Sequence, residues 1–368
     1  MSDYDEPLFQ QVVAYADAAD RDVVGMVSGN PDWGPPPALR EGLREAADAP
    51  PADLQYPPAP GLPDLRAAVA ARHGVATRRV LVTAGATEAL SLGIARALSR
   101  GAGEEVVVVD PTYPYYPAQI DLHGGEVVRV PAAPDGGLDP GAVRATLGPE
   151  TAGVVLTDPN NPTGAVYDPG AVRAVLDGAA AHDALVVRDE VYDAYDLSGS
   201  FESALSLATD AETVVVSAAS KTFAVTGLRI GWAIVPPAHV DALRRRHLLT
   251  TVAASRPAQV ATLRALQETD ASYGERARDR LRGRRNRFCA ALDGVGADYS
   301  PPQGGFYVLA DLPGVAGDLA SVERLVDEAG VAGMPGAAFG SAAEGLVRFS
   351  LTTDRVDEAV ERLRAYLG

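Results

Sequence analysis

The sequence is nearly devoid of lysine. Lysine and arginine together number 32 in the 368 residues, and all of them except Lys221 are arginine, although lysine is ordinarily among the commonest residues. Arginine can replace lysine as a solvated charge, but not as an amine that must lose its proton and attack a carbonyl, because the guanidinium stays protonated. The lone lysine therefore indicates a chemical role for Lys221, with chance survival during a general loss of lysine as the alternative.

Cysteine and long apolar runs are also scarce. The single cysteine, Cys289, excludes an internal disulfide and a cysteine-rich zinc site, and the five histidines lack the spacing of metal ligands. No apolar run reaches the length of a membrane span, and the acidic residues 1–6 contain no apolar signal segment. We expect a cytoplasmic protein with no metal in its functional site.

Positive charge is in deficit, since the formal net charge is −17. This balance argues against nucleic acid and anionic membranes as partners and leaves small-molecule substrates open. An acidic composition with arginine in place of lysine fits a halophilic protein, and a GC-rich genome would produce the same replacement.

Three common motifs are missing from the sequence. It has no glycine-rich dinucleotide fingerprint in a first βα turn, no Gly-Lys-Ser/Thr segment and no Gly-x-Ser-x-Gly segment. These absences argue against a Rossmann dehydrogenase, a P-loop NTPase and a serine hydrolase.

Short apolar runs recur along the first three quarters of the chain, with helical segments between most of them. Continuous rather than alternating Val, Leu and Ile suits strands that are buried on both faces. The series predicts an α/β domain with a mostly parallel, seven-stranded sheet. The runs are residues 80–82, 106–109, 126–130, 153–156, 185–187, 213–216 and 230–234.

The character of the sequence changes after residue 270. Residues 271–292 are rich in arginine and predict one long helix, and a short strand follows within residues 304–310. A last helix is predicted to begin near Thr353, with Val356, Val360 and Leu363 on one face. We therefore predict a large domain at residues 45–270 and a smaller α+β domain formed by residues 1–44 and 271–368.

Polar motifs follow the predicted strands at their carboxyl ends, which is where ligands gather in parallel sheets. A glycine-containing segment follows the first run and precedes a helix, a geometry that directs free amides at an anion. A carboxylate, an Asn-Asn-Pro-Thr-Gly segment and an Asp-Pro-Thr-Tyr segment follow other runs. The residues concerned are Gly85, Ala86, Thr87, Tyr113, Asn161, Asp189, Tyr192, Ser220, Lys221 and Arg229.

Taken in this order, the motifs resemble those of the class I/II aminotransferases, which are fold-type I enzymes of the aspartate aminotransferase superfamily and depend on pyridoxal 5′-phosphate (PLP). The resemblance extends from about Gly29 to Arg348. It implies that Lys221 is the Schiff-base lysine, which holds the aldehyde of the cofactor and moves a proton. It also implies that Ser220 and Arg229 bind the phosphate. The family often has a further serine where this chain has Ala218.

The resemblance implies roles for the other motif residues as well. A carboxylate beside the pyridine nitrogen keeps it protonated, which makes the ring an electron sink, and Asp189 matches this carboxylate. Tyr192 and Asn161 match the residues that hydrogen-bond the phenolic oxygen of the cofactor. Tyr113 matches the ring that stacks on the cofactor. The phosphate cradle is implied to consist of Gly85, Ala86 and Thr87.

Three more residues are implied to bind the substrate or the partner subunit. Arg348 matches the arginine that binds the substrate α-carboxylate, and Gly29 belongs to a loop that closes over the substrate. Tyr56 matches a tyrosine that reaches the phosphate in the neighbouring subunit, so a homodimer with shared active sites is implied. The implied reaction moves an amino group from an L-amino acid to a 2-oxo acid, with 2-oxoglutarate as the expected acceptor, by a ping-pong mechanism.

Other activities remain open on the same scaffold. They are a PLP-dependent lyase or decarboxylase, a histidinol-phosphate-type aminotransferase, and a non-catalytic PLP-binding protein. The amino donor is also open, because some aspartate-specific relatives use a lysine near the phosphate loop where this chain has Thr87. Arg256 would be the alternative ligand for a side-chain carboxylate if it faced the cleft.

Overall fold

The computed structural model describes residues 7–368, and residues 1–6 of the predicted small domain, including the acidic start of the chain, lie outside this range. Within it the strands are β1 Val24–Gly25, β2 Val80–Thr83, β3 Glu105–Asp110, β4 Glu126–Pro131, β5 Thr151–Thr157, β6 Leu185–Asp189, β7 Thr213–Ala218, β8 Gly231–Ile234, β9 Asp298–Tyr299, β10 Tyr307–Asp311, β11 Val331–Ala332, β12 Met334–Pro335 and β13 Val347–Ser350.

Helices separate most of these strands. They are α1 Leu8–Ala18, α2 Pro37–Ala47, α3 Pro63–Arg72, α4 Ala86–Leu98, α5 Tyr115–Leu122, α6 Pro140–Thr146, α7 Pro169–Ala181, α8 Ala219–Thr222, α9 Val240–Thr250, α10 Arg256–Glu268, α11 Ala271–Gly294, α12 Leu319–Arg324 and α13 Val356–Leu367. Within residues 7–368, no helix is long and apolar enough to cross a membrane.

Seven strands form the large sheet, in the order β2-β8-β7-β6-β5-β3-β4. Strand β8 is antiparallel to both of its neighbours, and the other pairs are parallel. The seven apolar runs of the sequence coincide with these seven strands. The predicted fold class is confirmed by this sheet and by the smaller antiparallel sheet described below.

Apolar clusters cover both faces of the large sheet, which explains its continuous apolar runs. Val107 and Val154 belong to one cluster, whereas Val106 and Val155 belong to the other. Successive side chains of a strand point to opposite faces, so each strand contributes to both clusters.

The amino-terminal segment and the carboxyl-terminal part of the chain share a third apolar cluster. A four-stranded antiparallel sheet in the order β12-β13-β10-β9 packs there with a parallel β1–β11 pair. Helix α11 supplies Phe288 and strand β13 supplies Phe349, whose rings lie 5.3 Å apart. The last helix begins at Val356 rather than near Thr353, because the Thr353 hydroxyl accepts the Arg355 amide in a turn before it.

Helix α2 packs against α10 and buries Leu39 in a cluster of the large sheet. The division of the chain at residues 45 and 271 stays a prediction.

The carboxyl ends of β3, β5, β6 and β7 meet at one edge of the large sheet. Thr157 pairs in register with Asp189, and Asp189 pairs with Val216 two residues before the end of β7. The side chains that follow these strands are thereby gathered beside the small antiparallel sheet.

Candidate active site

A cavity of about 340 Å³ opens at this edge of the large sheet. Eleven of the residues singled out in the sequence line it, although they are widely separated along the chain. These are Gly29, Ala86, Thr87, Tyr113, Asn161, Asp189, Tyr192, Ser220, Lys221, Arg229 and Arg348. Two others, Gly85 and Tyr56, do not.

Lys221 enters the cavity from α8, the one-turn helix that follows β7. Its Nζ donates a hydrogen bond of 2.8 Å to the carbonyl of Gly29, and Tyr195 anchors the Lys221 carbonyl at 2.9 Å. Burial lowers the pKa of the Lys221 amine, because removal from water disfavours the charged form. A larger fraction of neutral amine is what a nucleophile or a base requires.

Asp189 lies at the end of β6 and is buried. Its Oδ2 accepts a 2.7 Å hydrogen bond from the Tyr116 hydroxyl, and its Oδ1 accepts a 3.1 Å bond from the Val191 amide. Thr157 donates in turn to the Tyr116 hydroxyl. Burial raises the pKa of Asp189 to about 6, although these donors act in the opposite direction. The carboxylate is therefore held in a fixed orientation and is poised to pair with a cation.

Arg229 lines one end of the cavity, and Gly85 lies directly behind its guanidinium. Gly85 has φ of 85° and precedes α4, and a Cβ added to it would lie 2.4 Å from Nη2 of Arg229. A Cβ on Gly231 would lie 2.8 Å from the amide nitrogen of Ala86. Glycine at position 85 allows the guanidinium to approach the start of α4, and glycine at position 231 allows β8 to pack against it. The first amides of α4 have no partner inside the helix. Such an arrangement suits a phosphate.

Two hydroxyl-bearing residues, Thr87 and Ser220, line the cavity with this cradle. Ala218 lines it too, whereas the neighbouring Ser217 does not. Thr87 and Arg229 are exposed, so this end of the cavity opens to solvent in the single chain.

Arg348 lies at the opposite end of the cavity, on β13, and is buried. It donates to Oδ1 of Asn161 at 2.9 Å and to the carbonyl of Val27 at 2.6 Å. Its guanidinium carbon lies 4.1 Å from the centre of the Tyr307 ring and 4.6 Å from that of Phe339. Because Nε has no hydrogen-bond partner among residues 7–368, the guanidinium retains a donor for a bound carboxylate.

Gly29 faces this end, and a Cβ added there would lie 1.9 Å from the Tyr307 hydroxyl. Burial favours the neutral phenol of Tyr307, but Arg348 and Lys221 outweigh it and hold the pKa of that phenol below its usual value. Tyr192 shares a long 3.4 Å contact with the same hydroxyl.

Two residues considered from the sequence lie away from the cavity. Tyr56 is 85% exposed on the surface. Arg256 pairs with Asp53 at 2.9 Å and does not line the cavity.

Sequence reasoning missed several residues that line the cavity, among them Tyr116, Tyr307, Phe339, Met334 and Phe9. Tyr307 belongs to the segment that predicts a short strand within residues 304–310, and Phe339 to a later glycine-containing segment, but the sequence assigns neither side chain a role. Tyr116 lies in the first turn of α5, whereas Tyr113 precedes that helix, and no local pattern assigns Tyr116 a role. Nothing in the sequence marks Phe9.

Comparison with known proteins bears directly on this arrangement. The family model described as aminotransferase class I and II matches residues 21–363. The chain belongs to the class I and II aminotransferases. It is 36% identical over 360 residues to the aspartate/prephenate aminotransferase of Thermus thermophilus, covering 94% of this chain and 91% of that protein.

Other relatives of this aminotransferase support the same assignment. A probable N-succinyldiaminopimelate aminotransferase of Mycobacterium tuberculosis is 34% identical, over 92% of this chain and 91% of the relative. The structure of Thermus thermophilus aspartate aminotransferase with maleate matches with a TM-score of 0.91 and 34% identity, covering 99% of this chain and 97% of that one. The protein is thus a PLP-dependent aminotransferase of fold type I.

Proposed function

We propose that this aminotransferase moves the amino group of an L-amino acid to 2-oxoglutarate by a ping-pong mechanism, with Lys221 as the residue that binds the cofactor aldehyde. The observation that carries the proposal is the position of the only lysine. Its Nζ, 2.8 Å from the Gly29 carbonyl, lies in a cavity that Asp189 and Arg348 also line. No other amine of a lysine side chain exists in the chain to take this role.

The residues of the cavity fit PLP. The cradle of Gly85, Ala86 and Thr87 would hold the phosphate together with Ser220 and Arg229. The close packing of the Arg229 guanidinium against Gly85 supports this assignment. Asp189 would pair with the ring nitrogen. When bound, PLP withdraws electrons from the substrate Cα and so acidifies its proton.

The remaining cofactor contacts come from three side chains. Tyr113 would stack on the ring, while Asn161 and Tyr192 would hydrogen-bond the phenolic oxygen. Asn161 already accepts a 2.9 Å hydrogen bond from Arg348, so it connects the cofactor end of the site with the substrate end.

The substrate would bind between Arg348 and Lys221. The planar fork of Arg348 suits a carboxylate, and its stacking between Tyr307 and Phe339 fixes the direction of the fork. Lys221 in its neutral form would accept the proton from the substrate Cα in one half-reaction and would return a proton to Cα in the other. Burial lowers the pKa of Lys221 and so favours the neutral amine that this role needs.

We also propose a homodimer in which Tyr56 reaches the phosphate of the partner site. Tyr56 is 85% exposed, and Leu54, Leu248, Leu249 and Val252 are exposed large apolar residues of the kind that interfaces cover. The exposed phosphate end of the cavity, at Thr87 and Arg229, is consistent with completion by another chain.

The acidic composition leads us to propose a halophilic enzyme. A net charge of −17 repels itself in dilute buffer. We expect the dimer to dissociate or unfold more readily at low salt, which sedimentation and thermal unfolding across a salt series would measure. Equal stability from low to high salt would contradict the proposal.

A panel of twenty L-amino acids with 2-oxoglutarate tests the reaction. We expect at least one donor to yield its 2-oxo acid and glutamate in equal amounts, and double-reciprocal plots at several acceptor concentrations to be parallel. Each half-reaction should also proceed alone, as a change in PLP absorbance that the other substrate reverses. Release of a 2-oxo acid without glutamate would instead indicate a lyase.

A further inference from the structure

Half-buried Glu88 and fully buried His247 form a polar pair behind the phosphate cradle. Nδ1 of His247, on α9, lies 2.6 Å from Oε1 of Glu88, on α4. The other ring nitrogen, Nε2, lies 2.8 Å from the carbonyl oxygen of Ala59. His247 is fully buried, so solvent cannot satisfy either nitrogen.

The hydrogen-bond partners of His247 determine its protonation. A carbonyl oxygen can only accept, so Nε2 must carry a proton. An ionised carboxylate also only accepts, so Nδ1 must carry a proton as well. A neutral imidazole has one N–H and would place its unprotonated nitrogen against an acceptor, either Oε1 of Glu88 or the carbonyl oxygen of Ala59.

Glu88 is held as a carboxylate by further donors. Its Oε2 accepts the Ala84 amide at 2.6 Å, and its Oε1 accepts the Thr251 hydroxyl at 2.5 Å. Burial by itself raises the pKa of Glu88, but its bonds to His247, Thr251 and Ala84 outweigh burial and hold the pKa below its usual value. The last turn of α9, where His247 lies, also favours a cation.

The pair connects two segments that the proposed function assigns to cofactor binding. Ala84 immediately precedes Gly85 of the phosphate cradle. Ala59 lies in the loop that carries Tyr56, and the Val82 amide joins that loop to β2 by donating to Pro60 at 3.0 Å. Together, Glu88 on α4 and His247 on α9 therefore join the cradle to the Tyr56 loop.

We propose that His247 is an imidazolium in the native enzyme and that, with Glu88, it is a positioning residue for PLP binding. It fixes the cradle of its own subunit through Ala84 and, through Ala59, the loop whose Tyr56 is assigned to the partner site. The part concerning PLP rests on the proposed function, whereas the protonation of His247 does not.

His239 provides a matched comparison at the other end of α9. It is buried like His247 and its Nε2 lies 2.7 Å from Oε2 of Glu212. Its Nδ1, however, accepts a 3.1 Å hydrogen bond from Nε of Arg96. One donor and one acceptor suit a neutral imidazole, and burial lowers the pKa of His239. The two histidines thus differ in expected charge although each contacts a glutamate.

Nuclear magnetic resonance of protein with ¹⁵N-labelled histidine tests the charge. The sequence has five histidines, and the variants His247→Gln and His239→Gln assign the two signals. At neutral pH we expect two equivalent protonated nitrogens for His247 and one protonated nitrogen for His239. The Glu88→Gln variant should convert His247 to the neutral form, because a glutamine amide can donate to Nδ1. A neutral His247 in the unaltered protein would overturn the inference.

Equilibrium dialysis against PLP tests the positioning role. We expect His247→Gln to raise the PLP dissociation constant by about tenfold, since the Glu88 carboxylate or the Ala59 carbonyl loses its donor from α9, and His239→Gln to leave it within about twofold. Equal losses in both variants would overturn the role, since general destabilisation would then explain them. If His247→Gln does not fold, Glu88→Gln decides: weaker PLP binding with a neutral His247 supports the role, and unchanged binding overturns it. If the unaltered protein binds no PLP, the proposed function fails while the charge measurement stands.

Discussion

Tyr116 donates a 2.7 Å hydrogen bond to Oδ2 of Asp189, so the carboxylate assigned to the cofactor ring nitrogen has a protein donor on each oxygen. Tyr116 is buried and comes from α5, 73 residues before Asp189. Burial raises the pKa of Asp189 to about 6. The hydrogen bond from Tyr116 favours the ionised carboxylate and so keeps the pKa from rising further.

The Tyr116→Phe variant removes this bond and should raise the pKa of Asp189 further. Only the ionised carboxylate can pair with a protonated ring, so PLP binding weakens as the pH falls through that pKa. We expect the weakening to begin about one pH unit higher in the variant. PLP dissociation constants between pH 5 and pH 8 measure this, and Tyr115→Phe is the control. Superimposable pH profiles for Tyr116→Phe and the unaltered enzyme would contradict the role of Tyr116.

Lys221→Ala should abolish turnover while the fold persists, because an alanine can neither bind the aldehyde nor accept the Cα proton. Borohydride reduction with PLP should attach the cofactor to a single peptide of the unaltered enzyme, and to none in the variant. Mass spectrometry of a digest measures the attachment, and circular dichroism checks the fold. Cofactor attached elsewhere, or full activity in the variant, would exclude Lys221.

Arg348→Lys should impair both half-reactions, because the amine keeps the charge but loses the planar fork. We expect kcat/KM to fall by about a hundredfold for the amino donor and for the 2-oxo acid alike. Steady-state kinetics measures the change. Arg284→Lys is the matched control, since Arg284 is also buried but pairs with Asp32 away from the cavity. A similar loss in both variants would remove the special role of Arg348.

Most strands of the large sheet could be predicted because each contains a continuous apolar run, and burial on both faces gives that pattern. The edge strand β4 carries Arg129 within its run and is only partly buried. The cavity residues could be predicted where they follow a strand or belong to a recognisable segment, as Asp189 and Lys221 do. Tyr116 could not, since its partner Asp189 lies 73 residues away on β6 and no local pattern encodes that contact. The same holds for His247, whose partners Glu88 and Ala59 are 159 and 188 residues away.

Arg188 forms a second buried charged group, on the far side of β6 from Asp189. It contacts Oδ2 of Asp158 at 2.5 Å, and its Nε lies 3.4 Å from Oε1 of Glu190. Burial raises the pKa of Glu190 to about 7 and that of Asp158 to about 6, against the attraction of Arg188. The attraction of one guanidinium therefore does not offset the rise in pKa that burial causes for two carboxylates.

This group predicts a pH dependence of stability. The folded pKa of Glu190 exceeds its ordinary value of 4.5, so the folded state binds the extra proton. The stability that Glu190 contributes through this proton is fully present below pH 4.5 and is lost as the pH rises through about 7. We expect Glu190→Gln to flatten the fall in unfolding free energy between pH 5 and pH 7, by at most about 3 kcal/mol. Denaturant titrations measure it, and the exposed Glu202→Gln is the control. An unchanged slope would show that Glu190 keeps its ordinary pKa.

Tyr56 provides the test of shared sites. If Tyr56 completes the partner site, a mixed dimer of Tyr56→Ala and Lys221→Ala chains collects both defects in one site and leaves the other intact. Mixed dimers purified through two different tags should then show about half the activity of the unaltered dimer, since one of two symmetric sites works. Each homodimer should be clearly weaker. If Tyr56 instead serves its own subunit, every site of the mixed dimer carries one defect, and its activity stays at or below that of the Tyr56→Ala homodimer. An active monomer in sedimentation at assay concentration would contradict the shared site directly.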